Sequence, residues 1–404
     1  MGLFQRLLGM ERRDDATIAQ SADGFLQFFG LDVHTPGVVS LERALKVPAF
    51  SGAVTFLSAA LANLPMHVFK KTRKGSEKDG GFLQVLVNEA PNSEWNSFAA
   101  RRYFWSQVFT CGRGLFWIER SGAGTPLAFW PMAASRVTVE LLSSGQRRYR
   151  FKDKVYPAAD VIDVPFLLKE DQVTSYSPLG MGSHALSLSL AMGDYAHGFF
   201  DGGGVPPLVL VGPLPKNEDA LRRAADEVQR AIKNARESGR PIFNIPAGHE
   251  LKAVGIDPEK GQMTDGRRFQ IEEIARIFNL PVVFLQDLSR GTFSNTEQQD
   301  LHLVKHLISG WAKALEDEMN LKLFGQSKRS RYVEHNLDGL QRGDFKSRME
   351  GLARGVQSAL ITPNEGRDLD NRPALPGGDD LFMQGATVPI NELPGGKNGD
   401  QNDG

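Results

Sequence analysis

Apolar residues fall at helical spacing in several stretches of this chain and alternate singly in one. Val54, Leu57, Leu61 and Leu64 share a face of a helix predicted over Pro48–Asn63, which Pro65 closes. Met66–Lys71 then reads as a strand, and Ser93 or Asn96 is suited to cap a helix running through Phe109. Residues 114–165 alternate in strand fashion through LFWIER, PLAFWPM, RVTVELL, RRYRFK and DVIDVPF. Gly122, Gly124, Ser143–Gly145 and Asp153 supply the turns. The pattern is that of an α+β domain whose strands are joined by short hairpins.

Ser177–Pro178 opens a further helix, an N-cap followed by proline at the first helical position. Leu186, Leu188, Leu190 and Met192 then recur with a period of two, which favours a strand. The length of the run, its Ala/Leu/Met content and the lack of a turn before Gly202–Gly204 outweigh that, and a helix is expected. Strands over Val205–Val211, Arg240–Pro246 and Glu250–Val254 enclose a polar helix, Asn217–Arg236. Ile271, Ile274, Ala275 and Phe278 mark one face of a helix that Pro281 should end. Ser294 and Glu297 form a capping box for a second, longer helix with Leu301, Val304, Leu307, Ile308, Trp311, Leu315 and Met319 along its apolar side. At ~1.5 Å per residue that helix would be roughly 45 Å long. The polar stretch Gln286–Phe293 between the two lacks any period and should be a mobile loop. Arg331–Asn336 reads as a strand and Asp344–Leu360 as a helix. From Pro373 the chain is rich in Gly, Pro, Asn and Asp.

Composition narrows the function classes. With 404 residues, 41% hydrophobic and 24% charged, the chain can bury a core and hold two or three domains. A formal net charge of −1 argues against tight binding to phosphates. One cysteine, Cys111, excludes an internal disulfide and a cysteine metal cluster. No apolar run reaches the length of a membrane span, and neither a signal peptide nor a myristoylation signal is expected at the start.

Sites for chemistry are few. Gly180-Met181-Gly182-Ser183-His184-Ala185 matches G-x-G-x-x-A, with Asp201 where a ribose-binding acid would stand. That fingerprint needs a strand leading directly into it, and Pro178 with a polar stretch intervenes, so a helix start with small packing residues is the expected reading. A dinucleotide-binding enzyme acting through Gly180–Ala185 is the rival hypothesis. His302 and His306 stand at i, i+4 without the glutamate of H-E-x-x-H, and a solvated helix face is expected there. No P-loop or nucleophile elbow occurs, so no catalytic residue, metal or cofactor is expected.

Several motifs together resemble the portal proteins of tailed double-stranded DNA phages. They are KVPAFSGAVTFLSAALANLPMHVFK (46–70), NEAPNSEWNSFAARRYF (88–104), SPLG (177–180), FQIEEIARIFNLP (269–281), TFSNTEQQ (292–299), HNLDGLQRGDFKSRMEG (335–351) and ITPNEGR (361–367). The resemblance implies a dodecameric ring at one capsid vertex, through which DNA is packaged and ejected. It implies docking to the large terminase and a head–tail adaptor, contact with the major capsid protein, and no membrane. It also implies synthesis in a bacterial host cytoplasm and residence in the virion, for a phage, a prophage or a gene transfer particle.

Mapped by motif order, residues 1–35 are an N-terminal arm, 36–176 the wing, 177–203 a stem helix and 204–258 an α/β clip. Residues 259–285 are the second stem helix and connector, 286–294 the channel loop and 295–335 the long wing helix. Residues 336–376 form a small crown and 377–404 a flexible tail. The resemblance and the local patterns single out Arg290, Gly291, Thr292 and Phe293 as the channel loop facing DNA. They also single out Arg222, Arg223, Arg230 and Lys233 as the docking face of the clip, and the small residues Ser183, Ser187 and Ala191 as the stem contact between subunits.

Overall fold

Asn96, rather than Ser93, starts the helix on which the body of the molecule is built. Its Oδ1 accepts a hydrogen bond from Ala99 N at 2.8 Å, satisfying an otherwise orphaned donor of α4 (Ser97–Cys111). The computed structural model describes residues 17–18, 39–73, 75–201, 208–211, 222–223, 226, 230, 250–253, 263–286, 299–300, 302–326, 330–337, 345–370 and 372–383. They belong to two units, Met1–Asn336 and Leu337–Gly404.

In the first unit a short strand, β1 (Thr17–Ile18), precedes α1 (Leu41–Ala44) and α2 (Pro48–Ala62). Next come β2 (Met66–Thr72), β3 (Gly75–Lys78), α3 (Phe82–Asn88) and α4. The alternating block becomes β4 (Arg113–Arg120), β5 (Pro126–Met132), β6 (Val137–Leu141), β7 (Arg147–Phe151), β8 (Lys154–Pro157) and β9 (Val161–Pro165). These strands make two antiparallel sheets, ordered β5-β4-β9 and β1-β6-β7-β8. A third sheet, β14-β2-β3, recruits β14 (Arg331–His335) from far along the chain, with Val333 opposite Val68.

α2 and α4 pack as the sequence predicts. Phe50, Leu57 and Leu61 of the first, and Phe104, Trp105, Val108 and Phe109 of the second, are sealed from solvent. Burying each such side chain contributes about 1.5–3 kcal/mol. Short α3, absent from the expectations, is explained by its amides. β3 is too short to pair with the start of β2, so Gln84 Oε1 accepts from Val68 N at 2.8 Å and Asn88 Oδ1 from Met66 N at 3.0 Å.

The expected long helix is continuous in direction but not in type. Leu303–Ile308 is π-helical and Ser309–Phe324 is α-helical, here α8. The wider i→i+5 turn keeps Leu303, Val304 and Ile308 buried and leaves Leu307, expected on the apolar face, only half-buried. The Ser294/Glu297 capping box lies outside the described residues. Further along, α8 turns polar side chains inward to close two sheet edges. Asn320 pairs with both peptide groups of Val333 in edge strand β14, donating to its carbonyl at 3.0 Å and accepting from its N–H at 2.7 Å. Glu316 Oε1 accepts from His335 N at 2.8 Å and lies 2.9 Å from His335 Nδ1. Glu318 Oε1 accepts from Asp163 N of edge strand β9 at 3.2 Å, and burial pushes its carboxyl above the ordinary range despite Lys322. Unpaired strand edges are liabilities, and here one helix covers two of them.

In the second unit, α9 (Phe345–Gln357) precedes α10 (Pro363–Leu369). The Thr362/Glu365 capping box starts α10, and buried Asn364 organises the segment beyond that helix. Asn364 Nδ2 donates to Leu375 O and Asp379 Oδ1 at 2.9 and 2.8 Å, and its N–H donates to Gly378 O at 2.8 Å. The segment expected to open a flexible tail is therefore held against α10 as far as Asp379. Residues 384–404 lie outside the described residues.

Candidate channel and docking elements

The passage from the body to the expected stem depends on one glycine. Gly112 ends α4 in the left-handed conformation, φ 82°, and a Cβ there would meet Tyr176 O at 2.5 Å. The chain at Tyr176 and Ser177 can therefore lie against the end of α4. Tyr176 closes the hairpin formed by the two-residue strands β10 (Leu167–Leu168) and β11 (Ser175–Tyr176). Ser177 then caps α5 (Pro178–Met181), its Oγ accepting from Gly180 N at 3.0 Å.

α6 (Ser183–Asp201) comes next and is a helix, resolving the period-of-two pattern as expected. It packs antiparallel to α7 (Met263–Ile277), and glycines mark both ends of the contact. A Cβ on Gly182 would lie 2.5 Å from Ile277 Cδ1, and one on Gly266 would lie 2.8 Å from Met192 Cε. Ser183 and Ser187 are half-buried on the flank of α6, with Ser187 Oγ donating to His184 O at 2.9 Å. Ala191 is exposed. Larger exposed residues to which no role was expected stand on the same helix, Leu188 and Tyr195, seven apart. Phe269 projects from the exposed side of α7 with the Arg276 guanidinium 5.6 Å from its ring centre.

α7 ends before Pro281 can act. Asn279 takes the left-handed conformation, φ 52°, Asn279 N donates to Arg276 O at 3.1 Å and Leu280 N to Ala275 O at 3.0 Å, a Schellman motif. Proline then merely prevents resumption. The turn delivers Phe278 into an aromatic cluster, 5.7 Å from Phe50 and 6.2 Å from Phe109 between ring centres. Trp311 of α8 joins the cluster 5.4 Å from Phe109, 5.4 Å from Phe166 and 6.0 Å from Trp105. The ends of α2 and α4, the turn after α7, and α8 meet in these rings.

A 3-10 turn, Val282–Leu285, fixes the chain once more on α2, where Phe284 stacks on Phe56 at 5.2 Å. Gln286 stands after it in the left-handed conformation, φ 66°. The expected channel residues Arg290, Gly291, Thr292 and Phe293 lie outside the described residues. So the chain is anchored just before that stretch by Phe284, and after it by the buried side chains of Leu303 and Val304 in the π-helical turn.

Between α6 and α7 the expected insert shows an antiparallel pair, β12 (Leu208–Val211) and β13 (Glu250–Ala253), with Leu208 opposite Ala253. Arg222, Arg223 and Arg230 are helical and exposed. So is Asp226, whereas Lys233, the remainder of the polar helix and the strand expected at 240–246 lie outside the described residues.

The dinucleotide reading fails on geometry. Every strand pairing among the described residues is antiparallel, so no βαβ unit leads into Gly180–Ala185, and Ile277 occupies the space beside Gly182 where a phosphate would approach. His302 and His306 are exposed, and among the described residues no group of three His, Cys, Asp or Glu is placed to hold a metal. Nor is any helix there long and apolar enough to cross a membrane.

Residues 48–371 match the family model described as phage portal protein. The chain is 28% identical to the portal protein of Enterobacteria phage HK97 over 362 residues, 87% of this chain and 85% of that one. It is 26% identical to the probable portal protein of Streptomyces phage phiC31 over 359 residues, 84% and 78% of the two chains. Among solved structures it is similar to an HK97-family phage portal protein from Corynebacterium diphtheriae, with TM-score 0.59 and 16% identity over 76% of this chain and 98% of that one. It is also similar to a chain from the neck of a native GTA particle computed with C12 symmetry, with TM-score 0.55 and 16% identity over 84% and 94%. With the model covering most of its length, this chain belongs to the phage portal protein family, a family of structural proteins rather than enzymes.

Proposed function

We propose that the chain forms a twelve-subunit ring at one vertex of a capsid and that double-stranded DNA passes through its channel during packaging and ejection. The observation that carries this reading is the stem. A glycine-packed helix pair leaves the body at Gly112 and Ser177, carries an α/β insert, and returns to an anchored turn directly before the channel-loop stretch. Membership of the portal family and likeness to a neck computed with C12 symmetry support the same assembly.

The roles divide along the chain. Residues 286–294 converge on the axis, with Arg290 giving a transient phosphate contact and Phe293 a steric stop, and Gly291 and Thr292 allowing the loop to move. A net charge of −1 suits a channel, since each phosphate neutralised by a fixed cation would add affinity and hold the DNA. The insert, residues 204–258, meets the large terminase during packaging and the head–tail adaptor afterwards through Arg222, Arg223, Arg230 and Lys233. The body meets the major capsid protein. Ser183, Ser187 and Ala191 lie at the contact between neighbouring stems. The protein is made in the cytoplasm of a bacterial host and resides in the finished particle.

The test replaces Arg290 and Phe293 singly with alanine and measures DNA retained in filled heads. Normal rings and procapsids with altered filling or leakage are expected, and a salt-dependent effect for Arg290→Ala alone. Wild-type DNA content and transfer in both variants would refute the channel role of the loop.

A further inference from the structure

The two faces of β6, β7 and β8 are built differently. Val139 of β6 stands opposite Tyr149 of β7, and Tyr149 opposite Tyr156 of β8, on the face that packs with Leu115 and Met132 in the core. The residues between them face outward: Thr138 and Glu140, Arg148 and Arg150, Val155 and Pro157. Two arginines there share one carboxylate. Arg148 places Nε 2.7 Å and Nη2 2.6 Å from Glu140 Oε2, and Arg150 places Nε 3.1 Å and Nη2 2.9 Å from Oε1. The Glu140 side chain is 3% exposed, whereas those of Arg148 and Arg150 are 32% and 49% exposed. A buried anion therefore fixes two guanidiniums whose outer edges stay in water.

Both oxygens of Glu140 are taken, and each guanidinium keeps its Nη1 outside these contacts. The turn from β7 to β8 adds exposed Lys152, Asp153 and Lys154. This end of the sheet thus carries more cations than carboxylates, in a chain whose net charge is −1. The planar fork of an arginine fits a carboxylate or a phosphate. The neighbours of the two arginines distinguish these ligands. Val155, 48% exposed, stands opposite Arg150, and exposed Pro157 stands opposite Arg148. The methylene stem of a glutamate can lie on such apolar neighbours, and a phosphate has no counterpart to it. Arg148 and Arg150 are two residues apart on one strand, roughly 7 Å. Side chains at i and i+2 of an extended segment have the same spacing.

We propose that Arg148 and Arg150, held by Glu140, bind two glutamates spaced Glu-x-Glu on an extended acidic segment of another protein, with the glutamate stems lying on Val155 and Pro157. This contact depends neither on a ring nor on DNA in a channel.

The probe is a short fluorescein-labelled peptide of alternating Glu and Ala, added to the full-length protein and followed by fluorescence anisotropy. An alternating Lys–Ala peptide and a single-stranded oligonucleotide of equal charge serve as competitors. The wild type should bind the Glu–Ala peptide, more weakly as salt rises, and neither competitor should displace it. Glu140→Gln/Arg150→Gln removes one charge of each sign, so the net charge is kept and no buried carboxylate is left short of a partner. It should weaken binding tenfold or more while the melting temperature stays near that of the wild type. Arg150→Lys keeps the charge and loses the fork, and it should weaken binding severalfold; if the double variant melts early, this variant decides. No binding at millimolar peptide, or undiminished binding by the folded variants, would overturn the proposal. Displacement by the oligonucleotide would overturn it too, in favour of a phosphate site.

Discussion

α4 and α6 are helices of comparable length with opposite fates. In α4, Phe104, Trp105, Val108 and Phe109 are fully enclosed by the chain's own sheets and helices. In α6, Leu186 alone is buried among the described side chains, and large apolar groups stand in solvent. The difference separates side chains that the folded chain covers from side chains that it leaves in solvent. A helix that is apolar around much of its circumference is one that something else will bury.

The sharpest way to expose that difference is to empty the centre of the body. Trp105 lies edge-on to Phe104 at 5.2 Å and to Trp311 at 6.0 Å and touches no solvent. Trp105→Ala should destabilise the monomer by about 3–5 kcal/mol, since the surrounding rings cannot collapse into the space. Urea unfolding followed by tryptophan fluorescence and circular dichroism measures the loss. A cost below about 1 kcal/mol would mean that the aromatic cluster does not hold α4, α8 and the turn after α7 together.

A second, smaller effect tests a polar closure of the body. Glu140 is buried in β6 and accepts from Arg148 Nε at 2.7 Å and from Arg150 Nη2 at 2.9 Å. Burial alone would raise its carboxyl, but the hydrogen bonds and charges of Arg148 and Arg150 outweigh it and hold the group below the ordinary range. A carboxyl lowered by folding binds fewer protons in the native state, so its stabilisation is present above the ordinary carboxylate pKa of about 4.3 and is lost as pH falls through the native value. Glu140→Gln should therefore cost about 1–3 kcal/mol at pH 7 and progressively less as the pH falls below about 4.3. A difference between wild type and variant that stays constant over that range would contradict the pairing.

The contrast also explains how much of the fold is legible in the sequence. Much of the body is legible because its helices bury one face and its strands are apolar runs bounded by turns: α2, α4 and the strands β4, β5, β6, β7 and β9 lie where Leu57, Phe104 and runs such as LFWIER put them, whereas β8 (Lys154–Pro157) was not expected. The helix α6 gives conflicting signals because apolar residues stand on both its buried and its exposed sides, Leu186 inward and Leu188 outward, and that placement produces a false period of two. The inward polar side of α8 is invisible in the sequence, since Glu316 and Asn320 read as solvated positions until a distant strand, Arg331–His335, is known to lie against them. The π-helical turn at Leu303–Ile308 likewise has no counterpart in an apolar spacing that a regular helix satisfies equally well. Of the candidate sites, the stem residues and Arg222, Arg223 and Arg230 can be located, whereas Arg290 to Phe293 cannot be placed from the described residues.

The smallest expected effect lies on α6. Ala191 is exposed on α6, and leucine is nearly as good a helix former as alanine. If its face is open in the isolated chain, Ala191→Leu has nothing to overpack and should change monomer stability by no more than about 0.5 kcal/mol. The measurement is urea unfolding at protein concentrations low enough to keep the chain monomeric, where assembly adds no stabilisation by mass action. Assembly should respond differently if the stem contact proposed above runs through Ala191, because volume added to a packed contact typically costs about 1–3 kcal/mol. Monomer destabilisation above about 1 kcal/mol would show that the face is already covered within one chain, and the distinction between α4 and α6 would then fail.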